Sequence, residues 1–351
     1  MKRFDIITDL QYGSTGKGLL AGYLAEKHAY DTIAIAWSPN AGHTYIDSNG
    51  KKFVNCALPN GIVSPNLRRI LIGPGSVIDI DNLWNELNDY IEYLDGVQIF
   101  IHENAAVVSA GHRLAESESM FKIGSTMKGV GAAVIEKIKR DPDASIIARD
   151  VLVGTPLEAL LASADDYNSA LDSANKLLLE GAQGFSLSIN QGFYPYTTSR
   201  DCTTHQLLSD CAIPRAFAQS RNTRVYGCAR TYPIRVANRY KDGVQVGTSG
   251  PCYDDQREIE WSQLGMEPEL TTVTQLPRRI FTFSPQQIAD AVRMNGVDEV
   301  FLNFVNYIER DEDENALRLH DYERIISNTG AELTMLGWGA SHNDVFTTKG
   351  D

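Results

Sequence analysis

Glycines, small hydroxyl or amide side chains and single cations recur just after apolar runs in this 351-residue chain. In the first such block the run Phe4 to Ile7 leads into Gly13-Ser14-Thr15-Gly16-Lys17-Gly18, and then into the amphipathic stretch "LLAGYLAEKHA". Strand, glycine loop and helix in that order point backbone N–H groups at a helix N-terminus, where the macrodipole favours an anion. Lys17 adds a positive charge, so the chemistry is phosphate binding; the plainer alternative is a tight turn. The spacing departs from the P-loop, which needs a glycine where Gln11 stands, and from G-x-G-x-x-G. No carboxylate falls inside the loop.

Three more blocks follow. "SPNAGHTYI" crowds Asn40, His43 and Thr44 onto a turn containing Gly42; His43 there either stabilises a phosphoryl group in transfer, donates a proton, or is hydrogen-bonded scaffolding. "FKIGSTMKGVGAAVIEKIKR" sets Ser125, Thr126 and Lys128 among glycines ahead of a helix ending in Lys137, Lys139 and Arg140. Hydroxyls and cations of this kind suit a phosphate monoester, or a solvated loop and helix end. "LLLEGAQGFSLSINQGFYPYTTSRDCTT" carries Gln183, Thr198 and Ser199; an amide that both donates and accepts can read a base edge, or cap a turn.

The elements that must position these blocks are alternating strands and helices. Strands are expected near Phe4 to Thr8, Thr32 to Trp37, Arg69 to Ile72, Val97 to His102, Lys176 to Leu179, Thr223 to Cys228, Glu299 to Tyr307 and Leu333 to Leu336, with helices between them. That is an α/β fold, a largely parallel central sheet with helices on both faces, whose loops after the strands hold the ligand. With 43% hydrophobic residues and no linker or repeat, residues 1–351 read as one elaborated domain. A formal charge of -13 argues against a nucleic-acid or membrane-surface partner. Five cysteines without C-x-x-C pairing suit reduced thiols, and with no signal-peptide pattern the expected location is the cytoplasm.

Together and in this order the four blocks resemble adenylosuccinate synthetases, whose members carry G-D-E-G-K-G, N-A-G-H-T, G-T-T-G-R-G, and E-G-A-Q-G followed by Y-P-Y-x-T-S. The counterparts here are Gly13 to Gly18, Asn40 to Thr44, Gly124 to Gly129, Glu180 to Gly184 and Tyr194 to Ser199, and the likeness runs from Phe4 to Ala340. The resemblance implies a P-loop-NTPase-like fold and a two-stage reaction. A nucleoside triphosphate phosphorylates O6 of a 6-oxopurine monophosphate, and the amine of L-aspartate displaces that phosphate. It implies that Lys17 sits on the transferred phosphate, that His43 stabilises it, and that Mg2+ lies by the Gly42 carbonyl and Ser14. Gly13, Thr15, Gly16, Gly18 and Thr44 would line the triphosphate; Asn40, Ser125, Thr126, Gln183, Thr198 and Val236 would hold the purine monophosphate. Arg140 would reach the 5′-phosphate from the partner subunit of a homodimer. Thr272, Val273, Thr274 and Arg278, with Arg279, would grip aspartate.

Three departures from the family pattern narrow the substrates. Ser14 stands where the family has its catalytic aspartate, which makes room for an exocyclic amine at purine C2 and points to guanine. Leu276 replaces an arginine that approaches the ribose hydroxyls, in keeping with a 2′-deoxyribose. Asn306 replaces the aspartate that reads guanine in the triphosphate; an amide suits adenine instead, with Gly337, Trp338 and Gly339 lining the base pocket. The expected reaction joins dGMP to L-aspartate at the expense of ATP or dATP, as in a bacteriophage-encoded branch serving 2-aminoadenine DNA. The rival readings are an archaeal-type enzyme acting on IMP and a catalytically inactive nucleotide sensor.

Overall fold

Strand β1 (Arg3–Asp9) shows how the central sheet is built. Phe4 and Ile6 enter the apolar cluster on one face of the sheet, and Ile7 enters the cluster on the other. Leu177 and Leu179 against Leu178, and Val300 and Leu302 against Phe301, repeat that alternation. A strand buried on both faces reads as a continuous apolar run, which is why these segments stood out in the sequence. The computed structural model describes residues 2–119, 126–241, 244–271, 275–313 and 316–349.

Nine further strands join β1: β2 (Thr32–Ile35), β3 (Arg69–Ile72), β4 (Gln98–His102), β5 (Leu161–Ala162), β6 (Lys176–Glu180), β7 (Asn222–Arg230), β8 (Glu299–Asn303), β9 (Glu332–Gly337) and β10 (Val345–Thr347). Their order is β10-β9-β8-β7-β1-β6-β2-β3-β4-β5. Every neighbouring pair is parallel except β9 and β10. β1 is thus flanked by two strands from far along the chain, with Ile7 beside Glu180 and Asp9 beside Cys228.

Helix α1 (Lys17–His28) covers one face with Leu19, Leu20 and Leu24, while α5 (Pro285–Asn295) covers the other with Ile288, Ala291 and Val292. Helix α5 starts on a Ser284 cap, whose hydroxyl accepts the Gln287 N–H, has Pro285 in its first turn, and stops at left-handed Gly296. Helices α2 (Ile80–Asp89), α3 (Ala110–Ser119) and α4 (Val130–Lys139) lie before β5. Helix α2 ends at Asp89 and is followed by a short 3-10 turn, Ile91–Tyr93. The strand expected through Tyr307 stops at Asn303, because Phe304 turns left-handed (φ 60°) and Val305–Arg310 form a 3-10 helix.

Candidate active site

Four neighbouring strands end on buried polar residues: Asp9 on β1, Glu180 on β6, Arg230 on β7 and Asn303 on β8. Loops leaving these ends line a cleft of about 780 Å³, at the carboxyl edge where open parallel sheets place ligands.

Asp9 organises the first loop. Its Oδ1 accepts from the N–H groups of Gln11 and Gly13 (2.9 and 3.2 Å), and its Oδ2 from Thr15 Oγ1 and Lys17 Nζ (2.5 and 2.8 Å). The carboxylate that the loop lacks is therefore supplied from the last residue of the strand, underneath. Wrapping the chain around it requires left-handed backbone at Gly13, Ser14 and Gly16 (φ 87°, 56° and 97°). Gly16 has a second constraint, since a Cβ there would lie 2.1 Å from Asn303 Nδ2. Lys17 also donates to the Gln183 carbonyl (2.7 Å). Two of its three N–H bonds are thus committed, and the third is left for a ligand. Ser14 is exposed at the tip.

His43 lies nearly flat against Trp37, ring centroids 4.0 Å apart. Burial, reinforced by the neighbouring Lys17 charge, pushes its imidazole down to about 3. It is a neutral hydrogen-bond donor at physiological pH. The unfolded imidazole, near 6.5, takes up a proton that the folded one refuses, so His43 costs the folded state about 2 kcal/mol at pH 5 and almost nothing at pH 8. An NMR titration should show no protonation of His43 between pH 5 and 8, and a midpoint near 6.5 would contradict this. Below it Glu180 behaves oppositely: burial raises it to about 7 despite N–H bonds from Gly61 and Asn60.

The remaining blocks converge on the same cleft. Gly18, Asn40, Gly42, Thr44, Thr126, Gln183, Thr198, Val236, Arg278, Asn306 and Gly339 line it with the loop residues. The Gln183 amide donates to Asn40 Oδ1 (3.1 Å). At α4 the first N–H groups are already taken: Glu116 accepts from Gly129 (2.8 Å) and Gly131 (2.5 Å). Thr126 and Lys128, not helix N–H groups, are what this block presents to a ligand.

Other expected residues stand elsewhere. Arg140 is exposed at the end of α4, outside this chain's cleft, its Nε donating to Ile138 O. Gly337, Trp338 and Leu276 are not among the lining residues, and Trp338 is half-buried against the core cluster. Arg279 is committed to Glu258 (2.6 Å) and the Gly250 carbonyl (2.6 Å), while Arg278, whose Nε donates to Leu270 O (3.3 Å), is the arginine of the pair that lines the cleft. Ser125, Thr272, Val273 and Thr274 lie outside the described residues. Sequence reading missed Asp9, Arg230, Glu269, Asn303 and Phe304. Asking what satisfies the loop N–H groups would have found Asp9 alone.

The adenylosuccinate synthetase family profile matches residues 6–164 and 154–313, and the chain belongs to that family. Within it the chain is similar to phage proteins. It is 46% identical to the N6-succino-2-amino-2′-deoxyadenylate synthase of Acinetobacter phage SH-Ab 15497, an alignment that covers 100% of this chain and 95% of that one. Identity to the protein of that name from Salmonella phage PMBT28 is 50%, over 89% of this chain and 87% of the relative. The structure of cyanophage S-2L succinoaminodeoxyadenylate synthetase bound to dGMP and dATP superposes with a TM-score of 0.89 at 44% identity, covering 100% of this chain and 96% of that one.

Proposed function

We propose that this carbon–nitrogen ligase condenses dGMP with L-aspartate at the expense of ATP or dATP, giving N6-succino-2-amino-2′-deoxyadenylate, ADP or dADP, and phosphate. The observation that carries the reading is the loop tip: Ser14, a small hydroxyl, faces the cleft, while the nearby carboxylate of Asp9 is tucked beneath and saturated by four donors. A purine with an exocyclic amine at C2 finds space and a hydrogen-bond partner there. The phage relatives' names and the dGMP and dATP bound to the cyanophage protein support it.

In the first half-reaction the γ-phosphoryl group passes from the triphosphate to purine O6 and the N1 proton passes to water, with the third N–H of Lys17 and the neutral imidazole of His43 facing the charge that develops. In the second the aspartate amine attacks C6, the C6–O bond breaks, and phosphate leaves with both electrons. Arg278 pairs with an aspartate carboxylate, with Thr272, Val273 and Thr274 as its partners in that subsite, and Asn40, Thr126, Gln183, Thr198 and Val236 hold the monophosphate. Asn306 reads adenine. The donor set suits Mg2+. Ser14 and Gly42, both lining the cleft, carry the hard oxygens that would hold a partly hydrated Mg2+ bound chiefly through substrate phosphates. When bound, it would neutralise phosphate charge.

Arg140 serves the partner's cleft in a homodimer. Its position on the outer surface and the exposed Leu114, Ile135 and Ile138 on α3 and α4 support this reading. Among the described residues no helix is long and apolar enough to cross a membrane, and we place the enzyme in the cytoplasm of a phage-infected host.

The test crosses IMP, GMP and dGMP with ATP, dATP and GTP, using labelled aspartate. Product should form with dGMP and an adenine triphosphate. Consumption of IMP with dGMP ignored would establish the archaeal-type activity, and triphosphate binding without phosphate release would establish a sensor.

A further inference from the structure

We infer that Arg230 is a positioning residue that couples the aspartate-side loop to the tip of the phosphate loop; the inference rests on the assignment of the cleft given above. Arg230 is the last residue of β7 and 0% exposed. One Nη donates to the Ser14 carbonyl (3.2 Å), and the other to Glu269 Oε1 (2.6 Å). The guanidinium plane is fixed by Phe304, whose ring centre lies 3.8 Å from Cζ. Its backbone is clamped as well, because the Gln11 amide accepts from the Arg230 N–H and donates to its carbonyl (2.9 and 3.1 Å).

Glu269 is the stem of the opposite loop. Its carbonyl accepts the Arg278 N–H (2.8 Å), its neighbour Leu270 bridges to Pro277, and its carboxylate also accepts from Tyr307 (3.0 Å). Burial works to raise that carboxyl, but the Arg230 charge and the hydrogen bonds outweigh it and hold Glu269 ionised. One rigid, planar fork therefore joins the residue facing the purine edge to the strand pair carrying Arg278. A shift of either loop must move the other or break a charge-assisted bond in a buried setting. Arg230 Nε, buried without a hydrogen-bond partner, offers no third anchor that would uncouple the two. A compact lysine ammonium lacks the fork and the stacking face, so it cannot replace this linkage.

Coupling of this kind is reciprocal and measurable without turnover. Calorimetric titration of dGMP into the full-length protein, with and without saturating L-aspartate and with no triphosphate, should show aspartate tightening dGMP by about five-fold or more. In Arg230→Lys and in Glu269→Gln that factor should fall to near one, while dGMP alone binds within about two-fold of the parent. A purely structural role would lower both affinities and leave their ratio intact. Coupling retained in a folded variant, or absent from the parent, would overturn the inference. If Arg230→Lys does not fold, Glu269→Gln decides. Binding of IMP in place of dGMP would sink the substrate assignment instead, and the same ratio measured with IMP then decides the role of Arg230.

Discussion

Replacing Lys17 with Met is expected to lower turnover by about 10²- to 10³-fold and to cost about 3–5 kcal/mol of stability, the cost of leaving a buried carboxylate without its partner. Lys17 and Asp9 expose 7% and 0% of their side chains and lie 2.8 Å apart. Without the ammonium, Asp9 keeps three neutral donors, Gln11 N–H, Gly13 N–H and the Thr15 hydroxyl, which compensate hydrogen bonding and not charge. Turnover falls separately, because a donor aimed at developing phosphoryl charge typically contributes 10²- to 10³-fold. Urea unfolding separates the two effects. Asp9→Asn combined with Lys17→Met should recover most of the lost stability and none of the activity. If Lys17→Met alone unfolds at the parent's midpoint, the loop holds its buried charge by other means, and Asp9 is not what winds it.

Much of this site was legible because the fold brings strand ends together whatever the details of their loops. Three of the four blocks follow β1, β2 and β6, and a parallel sheet gathers those strand ends at one edge, while the third follows helix α3. What stayed hidden depends on side-chain direction. Asp9 and Arg230 are the last residues of their strands, and only their hydrogen bonds show that Asp9 turns under the first loop and Arg230 toward Ser14 and Glu269. The apolar run through Phe304 and Tyr307 looks like continued strand, yet one left-handed residue converts it into the turn that sets Phe304 against Arg230. Trp338 is ambiguous in another way: an aromatic at a strand end serves a pocket or a core equally well in composition, and here it is half-buried against the core cluster. Of the aspartate pair, Arg279 is spent on Glu258, a partner about twenty residues away in sequence that no local pattern announces.

The substrate assignment turns on Ser14→Asp, which should lower turnover of dGMP by about 100-fold or more while the affinity for ATP and the unfolding midpoint stay close to the parent's. The backbone permits the change. Ser14 sits at φ 56°, a conformation that aspartate tolerates better than most residues, and its carbonyl bond to Arg230 does not involve the side chain. What changes is the cleft. A carboxylate at the tip takes the space beside purine C2 that the 2-amino group needs. A purine without the 2-amino group needs less room, so the ratio of IMP to dGMP turnover should rise even as total activity falls. Steady-state rates with both monophosphates at saturating ATP measure it. Unchanged use of dGMP would mean that the exocyclic amine is accommodated away from Ser14, and that the choice of guanine is made by other residues of the cleft.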